Sequence, residues 1–363
     1  MRGLVAIPAL ALVGLVLFEF FVSFLLPQRV KREARLARTI LVGLWRGWRF
    51  GARRLRSRDT WLGFFGPIGL LTMLATWVLG LIVAFAALDW AAGAHLAASG
   101  GRGIDDYLYY SAGTFFSAAT DLQAPAGVAR AIEIAEAVCG YLVLFGVIGY
   151  LPALFQSYSR REVAVSQLDP RAGSPASAGT LLYRSARRGG WADLDGYLAE
   201  WEGWAAELME THLSYPLLAF YRSQHVNQNW LAALVTVVDT SAFAIAVAPE
   251  RTPAAEITFA IGRHALADLA YSFRAKRAAP DGERLDAAAF ERLRTKLGEA
   301  GLDVAEPEES RAKLAELQEL YEPYAAALSR RLELPLPAWV RETRTENWRV
   351  AAWRERHAPA QLH

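Results

Sequence analysis

An all-α membrane protein in two parts is what this sequence predicts: a membrane-embedded N-terminal half and a charged, helical C-terminal half. Two observations carry that expectation. Nearly all the long apolar runs fall in the first 156 residues, and the remainder shows helical periodicity with almost no strand signal. The chain has 363 residues, enough for two domains, and a net charge of +2 that argues for no nucleic-acid partner. Its one cysteine, Cys139, sits in an apolar stretch, so neither a disulfide framework nor a cysteine metal site can form within one chain.

A spanning helix needs about 20 mostly apolar residues. Three stretches meet that requirement: Gly3–Leu26 with Glu19 inside it, Gly66–Trp90 ending near Asp89, and Gly127–Phe155 with Glu133 and Glu136 in its first turns. The first is read as an uncleaved anchor over 1–27. The alternative is a signal peptide, against which stand its long apolar core and the lack of an Ala-x-Ala site before Pro27. Arg29, Lys31, Arg32, Arg35, Arg38, Arg46, Arg49, Arg53, Arg54, Arg56 and Arg58 crowd the segment 28–60. Basic residues beside a span stay cytoplasmic. The expected topology therefore has the N-terminus outside, 28–60 inside, and the C-terminal domain cytoplasmic, in the inner membrane. Trp45, Trp48, Phe50 and Trp61 interleave with the arginines. That mixture suits a helix in the headgroup layer, with anionic lipid headgroups as the expected partner of 29–58, as a lipid-sensing collar or as a plain topology signal.

Between the second and third spans, Ala91–Gly103 reads as a loop, and Asp105 and Asp106 as the capped start of a short helix. That helix is too short to cross a bilayer, which points to a re-entrant element. Such an element survives at membrane depth only when protein or water surrounds it. It ends in small and hydroxyl residues, then Asp121 and Pro125.

This order of elements resembles the pore module of the potassium-channel superfamily, and more narrowly bacterial two-pore-domain potassium-channel-like proteins with one pore loop per chain. The stretches that carry the resemblance are Phe64–Pro67 at the second span, Tyr110–Phe116 as pore helix (Tyr110, Thr114, Phe115, Phe116 among its residues), Gly149–Glu162 closing the inner span, Ala172–Pro175, Ser214–Pro216 and Arg222–Ala233. The resemblance implies a homotetramer around an axis, with pore module 61–158 and potassium or sodium as permeant ion. Where that superfamily carries Thr-Val-Gly-Tyr-Gly-Asp, this chain has Ser117, Ala118, Ala119, Thr120 and Asp121. Both glycines are missing, and alanine resists the positive φ that turns carbonyls toward an ion. The expectation is a weakly selective cation pore lined by the Ser117 and Thr120 hydroxyls and the Asp121 carboxylate. The alternative is a non-conducting receptor or scaffold that retains the architecture.

Gly140, Gly146, Gly149 and Pro152 in the inner span stand either for a gate hinge or for close packing. Leu151, Leu154 and Phe155 can form an apolar constriction. Residues 159–180, rich in Ser, Gly and Pro, read as a linker to a helical domain over 181–363. There, Leu194, Tyr197, Leu198, Trp201, Trp204, Ala205, Leu208 and His212 share one helical face, and Trp230–Ala248 reads as the central helix of a bundle rather than a fourth span, with Asp239 at its middle. Further helices are expected near 254–273, 285–300, 309–331 and 338–356. His225, Asn227, Gln228, Asn229 and His264 form a candidate ligand site, or else an interhelical hydrogen-bond network. No nucleophile–base pair, glycine-rich nucleotide loop or metal-ligand spacing stands out, so no enzyme, cofactor or metal is expected.

Overall fold

The computed structural model describes residues 2–24, 36–55, 57–93, 103–118, 127–225, 227–280, 282–305 and 307–340. Every element among them is helical. The α-helices are α1 (Arg2–Phe24), α2 (Leu36–Ala52), α3 (Arg58–Gly63), α4 (Phe65–Ala92), α5 (Ile104–Phe115), α6 (Val128–Ala172), α7 (Ala178–Ala186), α8 (Gly190–Ser214), α9 (Trp230–Val247), α10 (Pro253–Ser272), α11 (Ala287–Glu299) and α12 (Pro307–Leu332). A 3-10 turn over Pro216–Phe220 follows α8. Four helices, α1, α4, α6 and α9, are long and apolar enough to cross a membrane. The chain divides into two compact units, Met1–Gln156 and Ser157–His363.

In the first unit α1 packs along α4. Gly80 permits this, because a Cβ there would lie 3.2 Å from Val16. Phe20 meets Trp77 edge-on at 5.6 Å, and its ring lies against Gly146 of α6, where a Cβ would overlap it. Glu19, an acid inside an apolar span, is 5% exposed. Much of the remaining apolar surface, including Leu71, Leu79, Phe145 and Ile148, stays exposed, as expected of helices solvated by lipid.

Helix α2 buries Trp45 against Phe65 of α4, with ring centroids 4.7 Å apart, and leaves Arg46 and Phe50 exposed, as are Arg53 and Arg54 in the turn after it. The turn after it is closed by two indoles. Trp48 and Trp61 stack at 4.3 Å and 11°, and each donates its ring N–H to the other's carbonyl, at 2.9 and 3.3 Å.

The second unit is built around α9, which is 89% buried beneath α7, α8, α10 and α12. Its start is capped by Asn229, whose side chain accepts from the Ala232 N–H at 2.6 Å. Gly262 lets α10 close on α9, since a Cβ would stand 2.5 Å from Val238. Asp286 caps α11 in the same way as Asn229 caps α9, at 2.6 Å. Asp195 of α8 accepts from the Ala255 N–H in the first turn of α10 at 3.0 Å. After α12 the chain runs back over the core, with the Trp339 carbonyl taken by the Gly179 N–H at 2.9 Å.

Two expectations change here. Residues 159–172, read as linker, are the last turns of α6. The breakers act only from Gly173 (φ +88°) to Ser177, which caps α7. Asp105 and Asp106 do not cap α5; Gly103 is the cap residue and the two acids occupy the first turn, where they still favour the positive helix end. The helix expected over 338–356 falls mostly outside the described residues, and Ala338–Val340 are not helical.

Candidate functional site

Helix α5 is a 12-residue element held between spans. Its aromatic and small residues alternate so that Tyr107, Tyr110, Ser111, Gly113 and Phe115 are buried. Tyr107 packs with Ala86 of α4 and Ala129 of α6. Ser111 is the polar tie. Its hydroxyl lies 2.8 Å from the Ile82 carbonyl of α4 and also hydrogen-bonds Glu136 Oε1 of α6. One serine thus joins three helices. Around it Asp89 and Glu136 are fully buried, and among the described residues neither Asp89 carboxylate oxygen has a hydrogen-bond partner. In the sequence both acids stand only at the ends of spans; an acid within an otherwise apolar span is the signal that marks them.

Gly140 lets α6 approach the end of α5, because a Cβ there would overlap the Phe115 carbonyl. Gly149 has open space around it, and α6 continues unbroken through it and Pro152. Of the candidate constriction residues, Leu154 is fully buried, Leu151 half-buried and Phe155 exposed.

The end of α5 is a Schellman cap. The Ser117 N–H donates to the Thr114 carbonyl at 3.1 Å and the Ala118 N–H to the Gly113 carbonyl at 2.8 Å. Ser117 holds φ +52°, the left-handed position that usually takes glycine. Phe116, beside it, is 65% exposed, with its ring edge-on to Phe115 at 5.3 Å. Ala119, Thr120 and Asp121 lie outside the described residues. Because a non-glycine residue costs about 1 kcal/mol or more in the left-handed region, Ser117→Gly is expected to stabilise the fold by about 1 kcal/mol, read as a raised thermal midpoint. An unchanged or lower midpoint would remove the strain assignment.

In the second unit the candidate polar cluster is dispersed into structural roles. Asn229 caps α9 and donates to the Pro335 carbonyl at 3.2 Å. Gln228 donates to Asp169 at 2.6 Å. Asn227 is exposed at φ +72° and His225 is exposed before it. His264 lies on the surface of α10, 3.5 Å from Asp268 one turn on.

Two buried networks stand out instead. Arg284, on the loop before α11, makes a two-pronged pair with Asp239 at 2.6 and 3.1 Å, and also donates to Glu322 at 3.0 Å and the Pro337 carbonyl at 2.9 Å. Tyr321 donates to Asp239 Oδ1 at 2.5 Å. Burial by itself lowers the guanidinium's proton affinity, but the Asp239 charge and hydrogen bonds outweigh it, so the Arg284 pKa rises. In the second network, Arg161 of α6 donates to the carbonyls of Leu218 and Tyr221, each at 2.9 Å, and faces His212 Nε2 at 3.3 Å. His212 is fully buried; its desolvation, and then the Arg161 charge, push its pKa down to about 3. Among the described residues no group of three or more His, Cys, Asp or Glu side chains is arranged to hold a metal ion.

No family model, no curated protein and no solved structure matches this chain.

Proposed function

We propose that this chain is one subunit of a homotetrameric pore-loop cation channel of weak selectivity, passing potassium or sodium. The observation that carries the reading is α5: a helix too short to span, fastened through Ser111 to α4 and α6. Backbone of this kind at membrane depth needs a protein or water-lined environment, which several copies around an axis provide. The C-terminal end of α5 carries a partial negative charge that favours cations, and the chain leaves it toward Asp121.

In this reading α1, α4 and α6 span the inner membrane, with the N-terminus outside. The arginine face of α2 lies on anionic headgroups, and the helical unit is cytoplasmic. Helix α9, though apolar enough to span, has its surface covered by protein and a buried ion pair at its middle, which supports a core role. No enzymatic role is proposed.

The test is ion flux in liposomes under potassium, sodium and choline gradients. Wild type is expected to pass potassium and sodium but not choline, and Asp121→Asn to cut cation flux about tenfold by removing an acidic ring. Inserted, tetrameric protein that stays silent across voltage, pH and membrane tension would defeat the reading.

A further inference from the structure

A cavity of about 390 Å³ lies between the last turns of α6 and the middle of α8, wholly within the second unit. Gln167 and Arg171 line it from α6, and Tyr197, Glu200, Trp201 and Trp204 from α8. The spacing of three, four and seven residues puts each set on one helical face. Its volume falls within the range of about 300–1,000 Å³ typical of small-molecule sites.

Three rings form the floor. Tyr197 meets Trp201 edge-on at 5.9 Å, and Trp201 meets Trp204 edge-on at 4.9 Å. Gln167 and Glu200 are exposed at the mouth. Arg171 lies across the Tyr197 ring, 4.1 Å from its centroid. Asp193, whose Oδ2 is buried and has no hydrogen-bond partner among the described residues, pairs with the guanidinium only at 3.9 Å, so Arg171, 32% exposed, has no acceptor within hydrogen-bond distance among them. Two more donors are buried and unspent among the described residues: Trp204 Nε1 has no acceptor, and neither does the Tyr197 hydroxyl proton. An indole N–H can only donate.

The chemistry of the ligand follows from that surplus. An occupant has to bring acceptors, and a flat ring to cover aromatic faces. A cation is disfavoured because Arg171 already occupies the Tyr197 face. A purely apolar molecule would leave the buried Trp204 and Tyr197 donors unmet. Glu200 at the mouth opposes a second negative charge. We infer that this cavity binds a small aromatic monocarboxylate, its ring on Trp201 and its carboxylate on the Arg171 guanidinium, with Trp204 turning to supply its N–H. Guanidinium–carboxylate pairs of this kind are the strong, planar sort of hydrogen bond.

The inference does not depend on conduction. It is tested by isothermal titration of full-length protein in lipid nanodiscs with indole-3-acetate, against indole-3-acetamide as the neutral isostere. One saturable site per chain is expected. The amide, and the variants Arg171→Gln and Trp204→Phe, should each bind about tenfold more weakly, with helicity unchanged in the Arg171 variant. Arg171 is partly exposed and makes no hydrogen bond among the described residues; because its replacement also removes the contacts with Asp193 and the Tyr197 ring, binding is compared at a temperature where the unfolding midpoints show both proteins fully folded. No saturable uptake by wild type, or uptake undiminished in Arg171→Gln, overturns the assignment.

Discussion

Replacing Arg284 with methionine is expected to cost about 3–5 kcal/mol of stability, the largest single effect in the second unit. The reason is the charge left behind. Asp239 is fully buried at the middle of α9 and draws two hydrogen bonds from Arg284 and one from Tyr321. Without the guanidinium, a carboxylate remains in a protein interior with a single phenol to meet it. Glu322 and the Pro337 carbonyl lose their donor as well. Removing both partners, as Asp239→Leu with Arg284→Met, should be less damaging than the sum of the single changes, because the fully buried carboxylate goes with its cation; the Tyr321 hydroxyl and the Glu322 carboxylate, which loses its pair with Arg284, are then the main losses. Thermal or denaturant unfolding of the full chain gives the four corners of the cycle. Additive effects would show that Arg284 acts through packing against Trp339, 6.0 Å from its ring centroid, and not through Asp239.

Acid should destabilise the protein through His212. Its Nδ1–H donates to the Leu208 carbonyl at 2.8 Å, so Nε2 is the acceptor for Arg161 at 3.3 Å. Only the Arg161 bond requires the neutral ring, since the Nδ1–H bond to Leu208 survives protonation; a proton on Nε2 would set two cations face to face. Glu162, which pairs with Arg161 at 2.9 Å, is the nearby negative charge. The pKa is depressed from 6.5 to about 3 in the folded protein. The unfolded chain therefore takes up the proton first as pH falls. The stabilisation is fully present above pH 6.5 and drains away below it, through the folded value. Between pH 6.5 and 4.5 this amounts to about 2 kcal/mol. In His212→Gln, whose amide can donate to Leu208 and accept from Arg161, that part of the acid slope should vanish, whatever the variant's stability at neutral pH. Parallel slopes for wild type and variant would place the titration elsewhere.

The long elements were legible because length and apolarity are local. Helices α1, α4, α9, α10 and α12 begin and end within a few residues of their expected limits. The short helix α5 was legible too, from two acids followed by an aromatic run. What escaped was every tie that joins distant residues. Ser111 lies 25 positions from Glu136, and Arg284 lies 45 from Asp239 in a loop with no distinguishing pattern. Residues 159–172 were misread because Gly173, Ser174 and Pro175 coloured the whole stretch, although the residues before them are compatible with helix. The amides of 227–229 drew attention as a polar cluster; a capping residue beside an apolar helix has the same composition. The aromatic residues of α8 share one helical face in the sequence, but a periodic pattern does not reveal where packing leaves a cavity.

The stacked indoles of Trp48 and Trp61 have a spectroscopic consequence. Two identical chromophores at 4.3 Å and nearly parallel share their excited states instead of absorbing separately. The hairpin between α2 and α3 therefore carries its own optical signature: a coupled band in near-ultraviolet circular dichroism that exists only while the turn is shut. Trp48→Phe would erase it without charge change. That signal reports on how the arginine-bearing helix is joined to α3.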